Sequence, residues 1–141
     1  MITVHAEQLS VIKRSISLSK GEEVCGLFLG SGLLPNSVMV TKVVPTSNVA
    51  KRERHKRFEI DPVIRLQLER DTRNLPIGIV GHYHTHPGGE AVPSEIDLAS
   101  AHEPNLFWLI IGTSGDTMKD IKAWSIDPIK GKFINLELSI I

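Results

Sequence analysis

The sequence predicts one α/β domain, in which a mixed β-sheet is flanked by about three helices. Within residues 6–19, apolar side chains recur every three to four positions, a period that is typical of an amphipathic helix. Short apolar segments separated by turn residues follow, which indicates strands. A length of 141 residues with 41% hydrophobic content supports one core and leaves no room for a second domain.

The elements are predicted from local patterns in chain order. Leu9, Ile12 and Ile16 share one face of the first helix, which Gly21 ends. Two further helices are predicted: one is opened by Asp61-Pro62 and reaches about Arg70, and a short one is opened by Pro93-Ser94. The predicted strands are Val24–Leu29, Ser37–Val44, Pro76–Tyr83, Phe107–Ile111 and Ile121–Ile126. The C-terminal residues 134–140 alternate apolar and polar side chains, which predicts a last strand with one face on the core.

Composition excludes several classes of protein. The 16 basic and 16 acidic residues balance, so no global field attracts nucleic acid or an anionic membrane. The single cysteine, Cys25, excludes an internal disulfide and a zinc cage with two or more thiolates. No apolar run has the length of a membrane helix, and residues 1–20 lack a signal-peptide core. We therefore expect a soluble, unsecreted, cytoplasmic protein in which Cys25 is an inert core residue.

One segment breaks the even composition. Residues Lys51–Arg57 read KRERHKR, and this stretch is predicted to be an exposed loop. Its charge favours contact with an acidic surface of a partner, but an ordinary solvated loop has the same composition. Trp108 and Trp124 lie in predicted strands and are expected to be core residues.

The most informative segment contains three alternating histidines, at positions 82, 84 and 86. Side chains two apart in a strand point to the same face, so His84 and His86 present two imidazoles to one point. A catalytic zinc takes three protein ligands and keeps one position open, and Asp97 on the following helix supplies the third. Two alternatives stay open: His82 has the right parity to replace His86, and Ser94 to Asp97 is also a capping-box pattern.

A metal-assisted hydrolase also needs a general base. Glu22 and Glu23 form an acidic pair just before the buried strand that starts at Val24. Either carboxylate is a candidate base, and a solvated loop is the structural alternative.

These residues resemble the motif of the JAMM (JAB/MPN) metalloproteases. That motif is a distant glutamate, then His-Ser/Thr-His-Pro, six residues, and Ser-x-x-Asp; here it is Glu23, His84-Thr85-His86-Pro87, and Ser94-Glu95-Ile96-Asp97. The resemblance covers nearly the whole chain, and Phe58-Glu59-Ile60-Asp61-Pro62 is also similar to a segment of family members.

The resemblance implies a single JAB/MPN domain over residues 1–141, with a cytidine-deaminase-like fold. It implies that His84, His86 and Asp97 hold Zn²⁺, that Glu23 is the general base, and that Ser94 stabilises the oxyanion. It implies cleavage after the C-terminal tail of a ubiquitin-like modifier or sulfur-carrier protein, with the tail bound as an extended strand. The short, glycine-rich segment 88–93 and the absence of a long insertion favour a prokaryotic, stand-alone enzyme.

Two other functions remain as alternatives. Histidine-triad nucleotide hydrolases carry His-x-His-x-His, which residues 82–86 reproduce, but they use no zinc and give no role to Ser94 or Asp97. Inactive MPN scaffolds share the fold and typically lack a metal ligand, whereas every ligand is present here; a DNA-repair-associated relative of the same motif is a further alternative. No phosphate-binding glycine loop and no His-Glu-x-x-His motif occurs.

Overall fold

A computed structural model describes all 141 residues and contains three helices and eight strands. The helices are α1 (Ala6–Ser17), α2 (Pro62–Thr72) and α3 (Glu95–Ser100). The strands are β1 (Ile2–Val4), β2 (Cys25–Gly32), β3 (Val38–Thr46), β4 (Gly78–Pro87), β5 (Phe107–Ser114), β6 (Thr117–Asp127), β7 (Lys132–Leu136) and β8 (Leu138–Ile140). The predicted α/β class with three helices is confirmed.

All strands belong to one mixed sheet with the order β7-β6-β5-β4-β2-β3-β1-β8. Strand β4 pairs antiparallel with β2 and parallel with β5, so it lies near the centre of the sheet. Because a central strand is fixed on both sides, side chains on β4 have well-defined positions.

The two faces of the sheet carry different residues. On one face, α1 packs its buried residues Leu9, Ile12 and Ile16 into the main core, which includes Tyr83 of β4 and Leu109 of β5. Alternation along β4 and β5 sends the intervening residues to the opposite face, where α2 and α3 lie. The histidines of β4 belong to this second face.

The C-terminal residues differ from the prediction of one strand. The segment instead divides at Glu137: β7 pairs with β6, whereas β8 pairs with β1 at the other end of the sheet. This is possible because the sheet curls until its two ends meet, and the Glu137 carbonyl accepts the Ile2 N–H at 2.8 Å. Ile134 and Ile140, predicted to face the core, are 47% and 48% exposed.

Strand β1 was not predicted, because three residues are too few to carry a period. None of the three helices has the length and apolar character of a membrane span. Cys25 is buried and free, in agreement with the expected core position.

Candidate metal centre and active-site cleft

Three metal-binding side chains meet on the second face of the sheet. His84 and His86 come from the end of β4, and Asp97 comes from the first turn of α3. The Nε2 atoms of the two histidines are 3.0 Å apart, and Asp97 Oδ2 lies 3.2 Å from His84 Nε2 and 3.0 Å from His86 Nε2. Two-residue spacing on a strand, followed closely by a helix, therefore places three donor atoms around one point.

The donor set fits a tetrahedral transition metal. Ligands about 2.0 to 2.1 Å from a tetrahedral zinc lie about 3.3 Å from one another, close to the separations found here. Imidazole nitrogen and carboxylate oxygen are ligands that zinc accepts. His84 and Asp97 are almost fully buried, whereas His86 borders a cleft, so three donors are fixed and one side stays accessible. An accessible side is what distinguishes a catalytic site from a closed structural one.

Asp97 is both the predicted metal ligand and the second member of the predicted capping box, whose N-cap residue is Ser94. The Ser94 hydroxyl oxygen accepts the Asp97 N–H at 3.0 Å, and the Ser94 N–H donates to Asp97 Oδ2 at 2.9 Å. This is a complete capping box, and the oxygen that closes it also faces both histidines. The cap thus fixes the orientation of the carboxylate.

The protonation states of Asp97 and His84 suit metal binding, whereas a metal ion must compete with a proton at His86. Burial raises the pKa of Asp97, but hydrogen bonds from the two histidines and Ser94 outweigh it and hold that pKa well below its usual range. Burial lowers the pKa of His84, which keeps this imidazole neutral and able to ligate. Burial also opposes the charge on His86, but its hydrogen bonds to Asp97 and the Glu90 carbonyl raise its pKa overall.

The side chain of Glu23 lies beside this group and forms no hydrogen bond through Oε1. The residue is 4% exposed, and its Oε1 atom is buried without a hydrogen bond. Burial raises its pKa to about 8, with His86 opposing the shift and Asp97 adding to it. Glu22 is exposed and lines a different cavity, so the structure favours Glu23 as the candidate base.

Hydrogen bonds of Thr85 bring Glu23 close to the histidines, although Glu23 and His84 are 61 residues apart in the chain. The Thr85 hydroxyl accepts the Val24 N–H at 2.9 Å, and its own N–H donates to the Val24 carbonyl at 3.1 Å. Thr85 points away from the metal ligands on either side of it and holds the residue next to Glu23. The role of Thr85 cannot be predicted from the sequence, because it depends on the pairing of β2 with β4.

A cleft of about 570 Å³ opens over the candidate site. Its lining includes Glu23, His86 and Ser94, together with His55 and Lys56 of the basic loop. All the predicted catalytic residues therefore border either this cleft or the metal-binding group beneath it. The basic loop was predicted to be exposed, which it is, but its position on the cleft wall was not foreseen.

The glycine-rich segment 88–93 is held by the strands on its other side. Trp124 of β6 donates its indole N–H to the Ala91 carbonyl at 3.0 Å, and Asp120 accepts the Ala91 N–H at 3.3 Å. The neighbouring Glu90 carbonyl accepts from His86 Nδ1 at 2.8 Å. Since a carbonyl only accepts, this contact places a proton on Nδ1, so Nε2 is the atom that ligates when the ring is neutral. Trp124, predicted as core, is half-buried and has this additional contact.

His82 lies outside the metal-binding group. Its ring packs against Trp108 at a centroid distance of 4.4 Å, while Phe58 stacks on His84 at 4.3 Å. Burial, with a smaller contribution from His84, lowers the pKa of His82 to about 3. His82 is thus a neutral member of an aromatic wall behind the site. The alternative in which His82 replaces His86 as a metal ligand is not supported, because His82 lies outside the group of converging donor atoms.

Comparisons with known proteins identify the family of this chain. The model of a family described as prokaryotic homologs of the JAB domain matches residues 5–127. A Desampylase from Haloferax volcanii is 33% identical over 93 residues, which cover 66% of this chain and 64% of that protein. The chain thus spans less than two thirds of the length of this relative.

Two solved structures share the fold across the whole chain. The solution structure of protein DSY2949 from Desulfitobacterium hafniense has a TM-score of 0.84 at 25% identity and is covered over 93% of its length. The crystal structure of AF2198, a JAB1/MPN domain protein from Archaeoglobus fulgidus, has a TM-score of 0.61 at 16% identity and is covered over 99%.

Proposed function

The chain belongs to the family of prokaryotic homologs of the JAB domain, and from this premise we propose that it is a metal-dependent isopeptidase that removes ubiquitin-like modifiers from proteins. The observation that carries the proposal is the position of Glu23. Its buried, unpartnered carboxylate lines the same cleft as His86 and Ser94, beside three converging metal donors. A scaffold domain has no use for a carboxylate buried at this cost in hydration.

The proposed mechanism assigns a role to each group. A bound divalent metal, proposed to be zinc and held by His84, His86 and Asp97, supplies Lewis acidity toward a carbonyl and acidifies water. Glu23 takes the proton from the attacking water and delivers it to the leaving nitrogen. Burial raises the pKa of Glu23 above that of a free glutamate, which favours uptake of this proton.

Ser94 is proposed to stabilise the developing oxyanion. Its oxygen already accepts the Asp97 N–H, so the hydroxyl hydrogen is left to donate to a substrate oxygen in the cleft. The position of Ser94 is fixed by the capping box, and a fixed donor loses little free energy to reorganisation during the reaction.

The proposed substrate is a small protein with a flexible Gly-Gly tail, either a ubiquitin-like modifier or a sulfur carrier. The Haloferax volcanii relative is named Desampylase, a name for an enzyme that removes a modifier. Gly89, which has no side chain, lines the cleft, and this suits a tail that also lacks side chains. We also propose that residues 1–141 act as one domain, since β1 and β8 from the two ends of the chain pair directly.

Metal content and hydrolysis of ubiquitin-like fusions test the proposal together. We expect one zinc per wild-type chain, loss of metal and activity in Asp97→Asn, and retention of metal without activity in Glu23→Gln. Glu22→Gln is the matched control and should behave as wild type, because Glu22 is exposed and faces another cavity. A protein without metal whose Glu23→Gln variant equals wild type would contradict the proposal.

A further inference from the structure

We propose that the basic loop of residues 51–57 and helix α3 form a groove that binds an acidic segment of the protein substrate and leads it to the active-site cleft. This inference rests on the proposed function, because it specifies which substrates the same site accepts. It concerns the recognition of charge at a distance from the scissile bond and is separate from metal binding.

The groove is continuous with the cleft. A second cavity of about 420 Å³ lies beside the cleft and is lined by Lys51, Arg52 and Arg57. Ile96 of α3 lines both cavities, so the two meet at this side chain. His55 and Lys56 extend the same basic wall into the cleft itself. An extended chain lying across Glu23 and Ser94 would therefore pass along the basic loop.

The loop concentrates positive charge in a chain whose formal net charge is zero. Its seven residues include five Lys or Arg and one Glu. That carboxylate, Glu53, pairs with both Lys56 at 3.6 Å and Arg57 at 2.8 Å. Lys51 and Arg52 form no ion pair, and the only carboxylate that lines the second cavity is Glu59. Two exposed cations at the mouth of a groove are thus available for carboxylates from outside.

The loop is anchored, which distinguishes it from an ordinary solvated loop. The Asn48 amide donates to the Glu23 carbonyl at 3.0 Å and to the Arg57 carbonyl at 2.9 Å, and its oxygen accepts the N–H groups of Ala50 and Glu59 at 3.1 Å. One side chain therefore ties the start and the end of the loop to the residue that carries the candidate base.

A second anchor lies in the middle of the loop. The Arg54 carbonyl accepts the Glu23 N–H at 2.7 Å, and the Arg54 guanidinium donates to the Ala50 carbonyl at 2.7 Å. The basic wall is thus in place before substrate arrives, so binding does not have to order it. A peptide segment is favoured over nucleic acid as the occupant, because the groove leads to a peptidase site. Phe58 is the one aromatic residue that lines the groove, and its ring already stacks on His84.

Binding of a fluorescent hexaglutamate peptide tests the groove without requiring catalysis. We expect the wild type and Glu23→Gln to bind equally, the double variant Lys51→Glu/Arg52→Glu to bind at least about tenfold more weakly, and added salt to weaken wild-type binding. Lys130→Glu/Lys132→Glu changes the same charge near the β6–β7 turn and is the matched control, which should bind as wild type. Thermal melts establish that both double variants are folded.

Kinetics then link the groove to turnover. For a fusion with acidic residues beside the cleaved tail, the Lys51→Glu/Arg52→Glu variant should raise KM about tenfold and leave kcat unchanged, whereas a neutral fusion should show no difference. If the enzyme is active but the Lys51→Glu/Arg52→Glu variant has the peptide affinity and KM of the wild type, the proposed groove is wrong and the proposed function is unaffected. Binding of the peptide by a protein that hydrolyses no fusion would overturn the proposed function instead. Tighter binding of an oligonucleotide than of the peptide would overturn the choice of occupant.

Discussion

The two walls of the cleft are built in opposite ways. On the metal side, His84 and Asp97 are almost fully buried, and their positions follow from a central strand and a helix cap. On the basic side, residues 51–57 are all exposed, and the wall depends on the hydrogen bonds of Asn48 and on the Arg54 backbone. Chemistry requires fixed, dehydrated groups, whereas charge recognition tolerates hydrated side chains on a tethered loop.

After the loss of activity expected for Asp97→Asn and Glu23→Gln, the largest effect is expected from Ser94→Ala, which removes the proposed oxyanion donor from the rigid wall. We expect kcat to fall by about 10²- to 10³-fold while metal is retained. Asp61→Ala is a matched control, because it removes a comparable helix cap from α2, where Asp61 accepts the Val63 N–H at 2.9 Å. Steady-state kinetics and metal analysis measure both; equal losses in the two variants would show that Ser94 acts only as a cap.

The next effect concerns the close approach of Gly112 in β5 to the segment 88–93. A Cβ atom at Gly112 would lie 2.4 Å from the Gly89 carbonyl oxygen, so Gly112→Ala must displace this segment and with it the Glu90 carbonyl. We expect a loss of about 1 to 3 kcal/mol in the free energy of unfolding and weaker metal binding. Gly78→Ala in β4 is the control, since a Cβ there meets nothing within 4 Å. Denaturant unfolding measures both variants. Equal losses in the free energy of unfolding for Gly112→Ala and Gly78→Ala would contradict the predicted clash with segment 88–93.

A smaller effect is expected from Trp124→Phe. This variant keeps an aromatic side chain but removes the indole N–H that donates to the Ala91 carbonyl. The segment that orients His86 should loosen, and we expect about tenfold weaker zinc binding in competition with a chromogenic chelator. Asn135→Ala serves as the control, because it removes a side-chain bond to the Ala123 carbonyl on the same strand, away from the segment. Unchanged zinc affinity in Trp124→Phe would mean that Trp124 only packs.

The last contrast is in thiol reactivity, between the buried Cys25 and the exposed basic loop. Burial raises the pKa of Cys25 to about 11, so on the order of one thiol in a thousand is ionised at pH 8. We expect iodoacetamide to leave the native protein unmodified and to label it fully after denaturation, as mass spectrometry would record. In a Cys25→Ala/Lys51→Cys variant, the thiol on the exposed loop should react without denaturation. Rapid labelling of native Cys25 would contradict the burial described here.

Local sequence patterns predicted the metal-binding residues, because these residues are close to one another in the chain. His84, His86 and Asp97 lie within 14 residues, and strand parity with a capping box is enough to bring them together. The family resemblance supplied Glu23, since nothing near it in sequence distinguishes it from Glu22. Thr85 explains its position only through the pairing of β2 with β4.

Features that depend on long-range contacts were not predicted. Exposure of the basic loop followed from its charge, but its place beside the cleft depends on Asn48, which has no distinguishing sequence pattern. The split of the last strand at Glu137 depends on the curl of the entire sheet. Alternation of apolar and polar residues predicts that a strand exists, but it does not determine which strands pair with it.

Residues Lys132–Ile140 join the two ends of the sheet, and this has a consequence for the order of folding. Pairing of Ile2 with Leu138 closes almost the whole chain into one loop, which carries a large entropic cost and slows formation of that contact. The metal donors, by contrast, lie on consecutive elements and need only a short loop to meet. We expect β4, α3 and β5 to assemble early and the sheet to close late, so that a metal ion can stabilise a folding intermediate whose outer strands are still apart.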